Sequence, residues 1–242
     1  MHIIKLSATP STNDYLKQLY TQQVVANFTI VVSSNQTNGK GQMGTYWEAE
    51  SGKNLTFSIL IKDLIVNVKQ LFTLNILVSL ALVEVLERYK IPNVTVKWPN
   101  DIMAEQKKVG GILIENSLKS DGTFTAVVGF GLNLNQTDFE LLPQANSLTN
   151  ITHKVYDVEA MAKDFIKSLK LHLILFPERA EEAWARYDEL LFKRGKPAAF
   201  ESADGTRFMG MIQTVTRDGK LAVLLNDDSV VYYDLKEVKL LY

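Results

Sequence analysis
Residues 96–115 read Val-Lys-Trp-Pro-Asn-Asp-Ile-Met-Ala-Glu-Gln-Lys-Lys-Val-Gly-Gly-Ile-Leu-Ile-Glu, and no other stretch leaves the backbone so little freedom. Val94 and Val96 before the polar centre, and Ile112, Leu113 and Ile114 after it, are β-formers, which predicts two strands with functional groups at their junction. Pro99 has no N–H to give a ladder and drives Trp98 towards extended backbone, so the chain leaves the sheet there. Asn100 and Asp101 are thereby expected at a strand edge or mouth. Gly110 and Gly111 interrupt a β-branched run and point to close approach by a ligand or another backbone, because neither has a Cβ. On residue chemistry alone the stretch is either an ordinary charged hairpin with solvated lysines or a junction presenting Lys97, Asn100, Asp101, Lys107 and Lys108 to a ligand.

Size and composition narrow what surrounds this junction. A chain of 242 residues with 46% hydrophobic content can bury a core for one large domain, or one large and one small. Net charge is -1 with lysine and arginine scattered, so there is no nucleic-acid footprint. The absence of cysteine excludes a disulfide framework, a thiol nucleophile and a thiolate metal site. His2, His153 and His172 lack metal-ligand spacing and read as structural or exposed. The most apolar run, residues 76–86, is interrupted by Ser79 and Glu84 and is too short to span a bilayer. The N-terminus lacks the apolar core and cleavage site of a signal peptide, so a cytoplasmic protein is expected.

Along the chain, residues 1–8 read as a strand, and Ser11-Thr12-Asn13 supplies N-cap chemistry for a helix carrying Tyr15, Leu16, Leu19 and Tyr20. Residues 28–33 are β-rich, and residues 54–62 alternate as a half-buried strand with Leu55, Phe57, Ile59 and Ile61 on one face. Residues 70–89 are apolar almost all round and predict a helix buried against a sheet. Residues 123–134 form a further strand containing Gly129, Gly131 and Asn133. Asp157 can cap a helix with an apolar stripe from Val158 to Leu173, and Pro177 precedes a second helix over residues 178–191. After a linker at 192–197, short strands separated by Asp-Gly turns predict a small SH3-like barrel.

Residues 35–47, Asn-Gln-Thr-Asn-Gly-Lys-Gly-Gln-Met-Gly-Thr-Tyr-Trp, are either a flexible surface loop or a backbone cradle for an anion. They match neither a Walker loop, which ends Gly-Lys-Ser/Thr, nor the dinucleotide fingerprint with its third glycine and helix. Four motifs now stand in order: Ser11-Thr12-Asn13; Gln36, Gly39, Gly41, Gly44 and Trp47; Lys97-Trp98-Pro99-Asn100-Asp101 with Lys108, Gly110 and Gly111; and Gly129, Gly131 and Asn133. Together they resemble the signature of the biotin protein ligases, and the resemblance spans residues 1–242.

That resemblance implies an α+β fold: a class II synthetase-like catalytic domain of mixed sheet and helices over residues 1–191, then an SH3-like barrel over residues 192–242. It implies activation of biotin with ATP to biotinyl-AMP and pyrophosphate, followed by transfer to a lysine of a biotin carboxyl carrier domain. Ser11, Thr12, Asn13, Gln36, Gly39, Lys40, Lys108 and Gly111 would contact biotin, and Gln42, Thr45, Trp47, Lys97, Asn100 and Asn133 the nucleotide. Lys108, with Lys40, would neutralise the meeting of carboxylate and α-phosphate, and Asp101 would orient or deprotonate the acceptor amine. Magnesium would be carried mainly by the ATP phosphates, with no certain protein ligands. Lys40 departs from the loop arginine common in the family, and Gln42 from a second one, so looser retention of the adenylate is expected. The chain opens at the catalytic domain, without the DNA-binding domain of relatives that double as repressors, so no DNA partner is expected. Monomer and homodimer both stay open. The competing readings are a lipoate or octanoyl ligase or transferase of the same superfamily, and a non-catalytic biotin-binding regulator.

Overall fold
The alternation of residues 54–62 builds one of the inner strands of the fold. The computed structural model describes residues 2–62, 71–118 and 124–242. Its larger part runs β1 (Ile3–Leu6), α1 (Thr12–Gln22), β2 (Ile30–Ser33), β3 (Leu55–Lys62), α2 (Leu71–Arg88), β4 (Thr95–Lys97), β5 (Asp101–Ala104), β6 (Lys107–Leu118), β7 (Phe124–Leu132), α3 (Leu148–Thr152) and α4 (Val158–Glu189). The seven strands form one sheet in the order β1-β2-β3-β7-β6-β5-β4. Only the β1–β2 pair is parallel among them.

Each face of this sheet is covered by different elements. Phe57, Ile59 and Ile61 of β3 join Val128, Phe130 and Leu132 of β7 in the core shared with α2 and α4. There the rings of Phe57, Phe130 and Phe165 lie 5.1 to 5.6 Å apart, centroid to centroid. Fully burying a phenylalanine side chain contributes about 1.5–3 kcal/mol, so this trio fixes α4 against the sheet. On the opposite face Leu16 of α1 packs with Val25, Val31, Leu60 and Val127. β3 is therefore buried on both sides, not half-buried as its alternation predicts: Thr56 and Ser58 are 4% and 0% exposed.

Three further expectations need correction. Residues 96–115 make three antiparallel strands, not two, because Glu105 and Gln106 both take left-handed backbone, with φ of 47° and 62°, and close a two-residue turn. Neither residue carries the Asn-Gly signal that announces such turns. The two helices expected around Pro177 are one 32-residue helix, α4, kinked where Arg179 has φ -122° and ψ 25°. Pro177 removes one helical hydrogen bond, but Phe165 and Leu169 before it and Trp184 and Tyr187 after it are all buried, so packing holds both halves in line. The apolar run 70–89 is α2, Leu71–Arg88; Gln70, like Thr123 at the start of the predicted strand 123–134, lies outside the described residues.

The edge strand β4 is capped by the segment after α4. Val96 N donates to Leu190 O at 2.8 Å, and Phe192 N donates to Val96 O at 2.9 Å. The chain then forms β8 (Pro197–Ser202), β9 (Arg207–Val215), β10 (Leu221–Leu225), β11 (Val230–Tyr233) and β12 (Val238–Leu241). These make an antiparallel sheet in the order β11-β10-β9-β8-β12, with Gly205 and Gly219 at positive φ in the predicted Asp-Gly turns. Phe200, Ile212, Val223 and Leu240 belong to the same buried cluster as the larger sheet's core. Trp98 Nε1 donates to Gly219 O at 2.9 Å, tying the proline-broken turn to this second sheet. Among the described residues no helix is long and apolar enough to cross a membrane.

Candidate active site
Strand register places the polar residues. One row across the sheet runs Lys97, Asp101, Gly111, Gly131, Thr56, and the next runs Leu113, Gly129, Ser58, Val31. Side chains in these rows share the α1 face, so three glycines lay a bare floor between the charged end and the hydroxyl end. A Cβ on Gly131 would fall inside the ring of Trp47, and one on Gly129 would strike Asn13 Oδ1. A Cβ on Gly111 would meet Trp47 Cζ3 at an ordinary 3.5 Å, whereas Gly110, on the other face, would approach Gly131 O at 3.0 Å.

Lys108 reaches this floor through a β-bulge. Asp101 pairs with Gly111 and Ile102 with Gly110, but Met103 pairs with Lys108, leaving Val109 as the extra residue. In a regular strand positions 108 and 111 point to opposite faces. The bulge reverses that parity, buries Val109, and brings Lys108 Nζ to 2.6 Å from Asp101 Oδ1. Asp101 Oδ2 is 3.5 Å from Lys97 Nζ, so one carboxylate holds two ammonium groups. Burial holds the Lys97 ammonium below the usual lysine range; Asp101 opposes this, while Lys108 and Lys239 push it further down. The Tyr242 ring lies 4.7 Å from Lys97 Nζ, and burial, with Asp101, pushes its hydroxyl up to about 12.

At the other end Ser11 is the N-cap of α1, and its hydroxyl accepts from Asp14 N. Cap and pocket roles coincide because the strand-to-helix corner opens onto the cavity. Thr12 N and Oγ1 both donate to Gln36 Oε1, at 2.8 and 2.9 Å. Ser58 Oγ reaches Thr12 Oγ1 and Asn13 Oδ1, at 2.7 and 2.5 Å, and Asn13 Nδ2 donates to Glu115 Oε2 at 2.8 Å. The loop from Gln36 to Trp47 arches over this region: Trp47 N donates to Gly39 O and Gly41 N to Thr45 O, at 2.9 and 2.7 Å.

The cavity so formed has a volume of about 380 Å³, within the range that encloses small ligands. Of the residues singled out in the sequence, Ser11, Thr12, Asn13, Gln36, Lys40, Gln42, Thr45, Trp47, Lys97, Asn100, Asp101, Lys108 and Gly111 line it. Two do not. Gly39 forms the neck of the loop, where a Cβ would collide with Trp47 O. Asn133 is 4% exposed and its Nδ2 donates to Asn146 O, whose own residue donates its N–H to Lys108 O. It therefore braces the bulge from behind. Asn100 lines the cavity, yet its amide Nδ2 donates to Ile112 O at 2.6 Å and pins β6.

Sequence reasoning missed Asp14, Ser58, Glu115, Lys236, Lys239 and Tyr242. Ser58 had a signal, a hydroxyl in an otherwise apolar strand; Glu115, held by Lys17 at 2.7 Å, had none. Lys40 Nζ sits 2.6 Å from Asp14 Oδ2, its partner on α1. Burial draws the Asp14 pKa up, but hydrogen bonds from Lys40 and Lys17 outweigh it and hold the carboxyl below its usual range. A lowered folded-state pKa stabilises the fold above the unfolded value near ~3.9, and that contribution is lost as pH falls through the folded value. Asp14→Asn is thus expected to cost about 0.2–1 kcal/mol at pH 7, small because partly exposed pairs are screened. The difference from wild type should close on acidification below about pH 3.9; urea melts across that range measure it.

A mixed sheet with helices on both faces, roofed by a glycine loop over hydroxyls at one end and ammonium groups at the other, defines an α+β domain built around a two-ended polar cavity. The chain belongs to the Biotin/lipoate A/B protein ligase family, whose model matches residues 6–133. It is 32% identical over 133 residues to the Bifunctional ligase/repressor BirA of Bacillus subtilis, covering 53% of this chain and 41% of that one. It is 24% identical over 229 residues to the Biotin--[acetyl-CoA-carboxylase] ligase of Mycobacterium tuberculosis, covering 93% of this chain and 84% of that one. A solved structure, biotin protein ligase from Aquifex aeolicus in complex with biotin and ATP, matches with TM-score 0.79 and 26% identity, over 99% of this chain and 98% of that one. The chain spans about half or less of the length of its Bacillus relatives, 49% of the Bifunctional ligase/repressor BirA of Bacillus spizizenii and 41% of that of Bacillus subtilis.

Proposed function
We propose that the protein is a biotin protein ligase, joining biotin to ATP as biotinyl-AMP with release of pyrophosphate, then passing biotin to a lysine of a carrier domain. The observation that carries this reading is the single cavity in which an uncharged hydroxyl and amide cluster faces a lysine cluster across a glycine floor. Such a site suits a ligand with a neutral polar ring and an anionic tail that must meet a phosphate. In this reading Ser11, Thr12 and Gln36 hold the ring, Lys108 bridges carboxylate and α-phosphate, and Lys97 and Trp47 lie on the nucleotide side. Holding both reactants in contact removes most of the entropic barrier, and the ammonium group offsets the charge that builds at phosphorus.

Asp101 is the one carboxylate lining the cavity among the described residues, so it alone there can orient the acceptor amine or take its proton. The same fact bears on magnesium. A lone carboxylate already engaged by two lysines does not fit a protein-held divalent ion, and no group of three acidic or histidine ligands occurs among the described residues. We assign residues 1–191 to catalysis, 192–242 to a C-terminal module, and the protein to the cytoplasm.

ATP–pyrophosphate exchange with biotin, lipoate and octanoate in turn tests the assignment. Exchange with biotin alone supports it; exchange with a linear acyl acid instead makes the chain a lipoate or octanoyl ligase. The Lys40 departure gives a second test. Lys40→Arg restores a planar fork that grips phosphate through two bonds, and should slow release of biotinyl-AMP roughly two- to tenfold. Equal or faster release from this variant, chased with unlabelled adenylate, counts against that role for the loop cation.

A further inference from the structure
We infer that Lys239 and Lys236 of the C-terminal sheet hold the two outer phosphates of the nucleotide and the pyrophosphate they become, an inference that rests on the ATP-dependent reading above. Five lysines line the cavity, Lys40, Lys97, Lys108, Lys236 and Lys239, against the single Asp101. The chain as a whole carries a net charge of -1, so this excess is local. It is assembled from both sheets: Lys97 and Lys108 from β4 and β6, Lys239 from β12, and Lys236 from the turn before it.

Two of these cations have no counter-charge of their own. Asp101 is taken by Lys97 and Lys108, and among the described residues Lys236 and Lys239 form no ion pair. Glu201, opposite Lys239 in the β8–β12 register, is held instead by Arg207 at 2.9 Å. Lys236 has φ 69°, a left-handed conformation that costs a lysine energy. The turn is kept by Asp234 N donating to Glu237 Oε2 at 2.7 Å, and it sets Lys236 at the cavity lip. Lys239 lies near enough to Lys97 to oppose its charging. Gathering like charges from separate sheets is unfavourable until a polyanion enters, and a triphosphate is the polyanion this reaction uses.

The chemistry needs cations at that place. A carboxylate oxygen forms a bond to the α-phosphorus while the bond from α-phosphorus to its bridging oxygen breaks. That oxygen keeps the electron pair and departs with the two outer phosphates as pyrophosphate. Lys108, held by Asp101 beside the floor, serves the carboxylate and α-phosphate; charge growing on the leaving group falls to the lysines beyond it.

The test uses the full chain with Lys236→Gln and Lys239→Gln combined. In biotin-dependent exchange the KM for pyrophosphate is expected to rise at least tenfold and the KM for ATP to rise with it. Transfer from presynthesised biotinyl-AMP to a carrier domain should keep its rate, and Lys239→Arg should restore most of the pyrophosphate affinity. Unchanged KM values for ATP and pyrophosphate overturn the inference, as does a defect confined to transfer, which would make these lysines an acceptor-docking patch. A wild-type chain showing no biotin-dependent exchange fails differently: it removes the ligase reading itself.

Discussion
Lys108→Ala is expected to slow biotin-dependent adenylation by a factor of several hundred, the largest single-residue effect in this protein. Two anions must touch for the reaction to begin, and in the low-dielectric cavity their repulsion is weakly screened. Lys108 is aimed at the floor by the Val109 bulge and held at 2.6 Å by Asp101, so its ammonium is in place before either reactant arrives. Removing one such preorganised donor costs about 3–4 kcal/mol in the transition state, or roughly 100- to 1000-fold in rate. Single-turnover release of pyrophosphate reads this directly. A near-normal rate would reject the assignment, because Lys108 is the lysine held beside both Asp101 and the Gly111 floor.

Gly131→Ala should weaken binding of biotin and its adenylate by roughly five- to 150-fold, from an overpacking cost of about 1–3 kcal/mol. The new methyl group would occupy the position of the Trp47 ring, which cannot yield within its loop because Trp47 N is bonded to Gly39 O and Gly39 backs onto Trp47 O. The loop must therefore lift as a unit, opening the roof while the sheet beneath stays intact. Gly111→Ala is the comparison: its methyl would meet Trp47 at an ordinary 3.5 Å, so it should leave the loop in place and cost less affinity than Gly131→Ala. Calorimetric titration of both variants with biotin compares them, and wild-type affinity in Gly131→Ala would mean that the ring is not held on this floor.

Period and punctuation announced most of the elements. The 3.6-residue stripe of α1, the all-round apolarity of α2, the β-branched run of β6 and the Asp-Gly turns of the second sheet were each readable locally. Three features were not. The turn at Glu105 and Gln106 lacks turn residues, so it was hidden inside the polar junction expected between two strands, and the strand on each side of it went unseen. Pro177 read as a helix terminus, but the packing of Trp184 and Tyr187 kept the helix going. Thr56 and Ser58 read as a solvent face, although both are buried, Ser58 under Thr12 and Asn13 of α1 and Thr56 bonded to Ser33 O of β2.

What the residues decided on their own was the chemistry available: hydroxyls at 11 and 12, a cation in a glycine loop, and lysines beside a proline-broken turn. Those signals are local, since a side chain's functional group and its neighbours' backbone preferences travel with the sequence. Which groups meet was left to the tertiary structure. The bulge at Val109 reverses strand parity and so chooses the face of Lys108, and cross-strand register sets Gly131 under Trp47 and Asp101 beside Gly111. Lys236, Lys239 and Tyr242 arrive more than 100 residues after Lys108, carried in by a second sheet that shares its buried core with the first. Proximity across such separations depends on how two sheets bury their apolar faces, a property of the packed whole that no window of sequence contains.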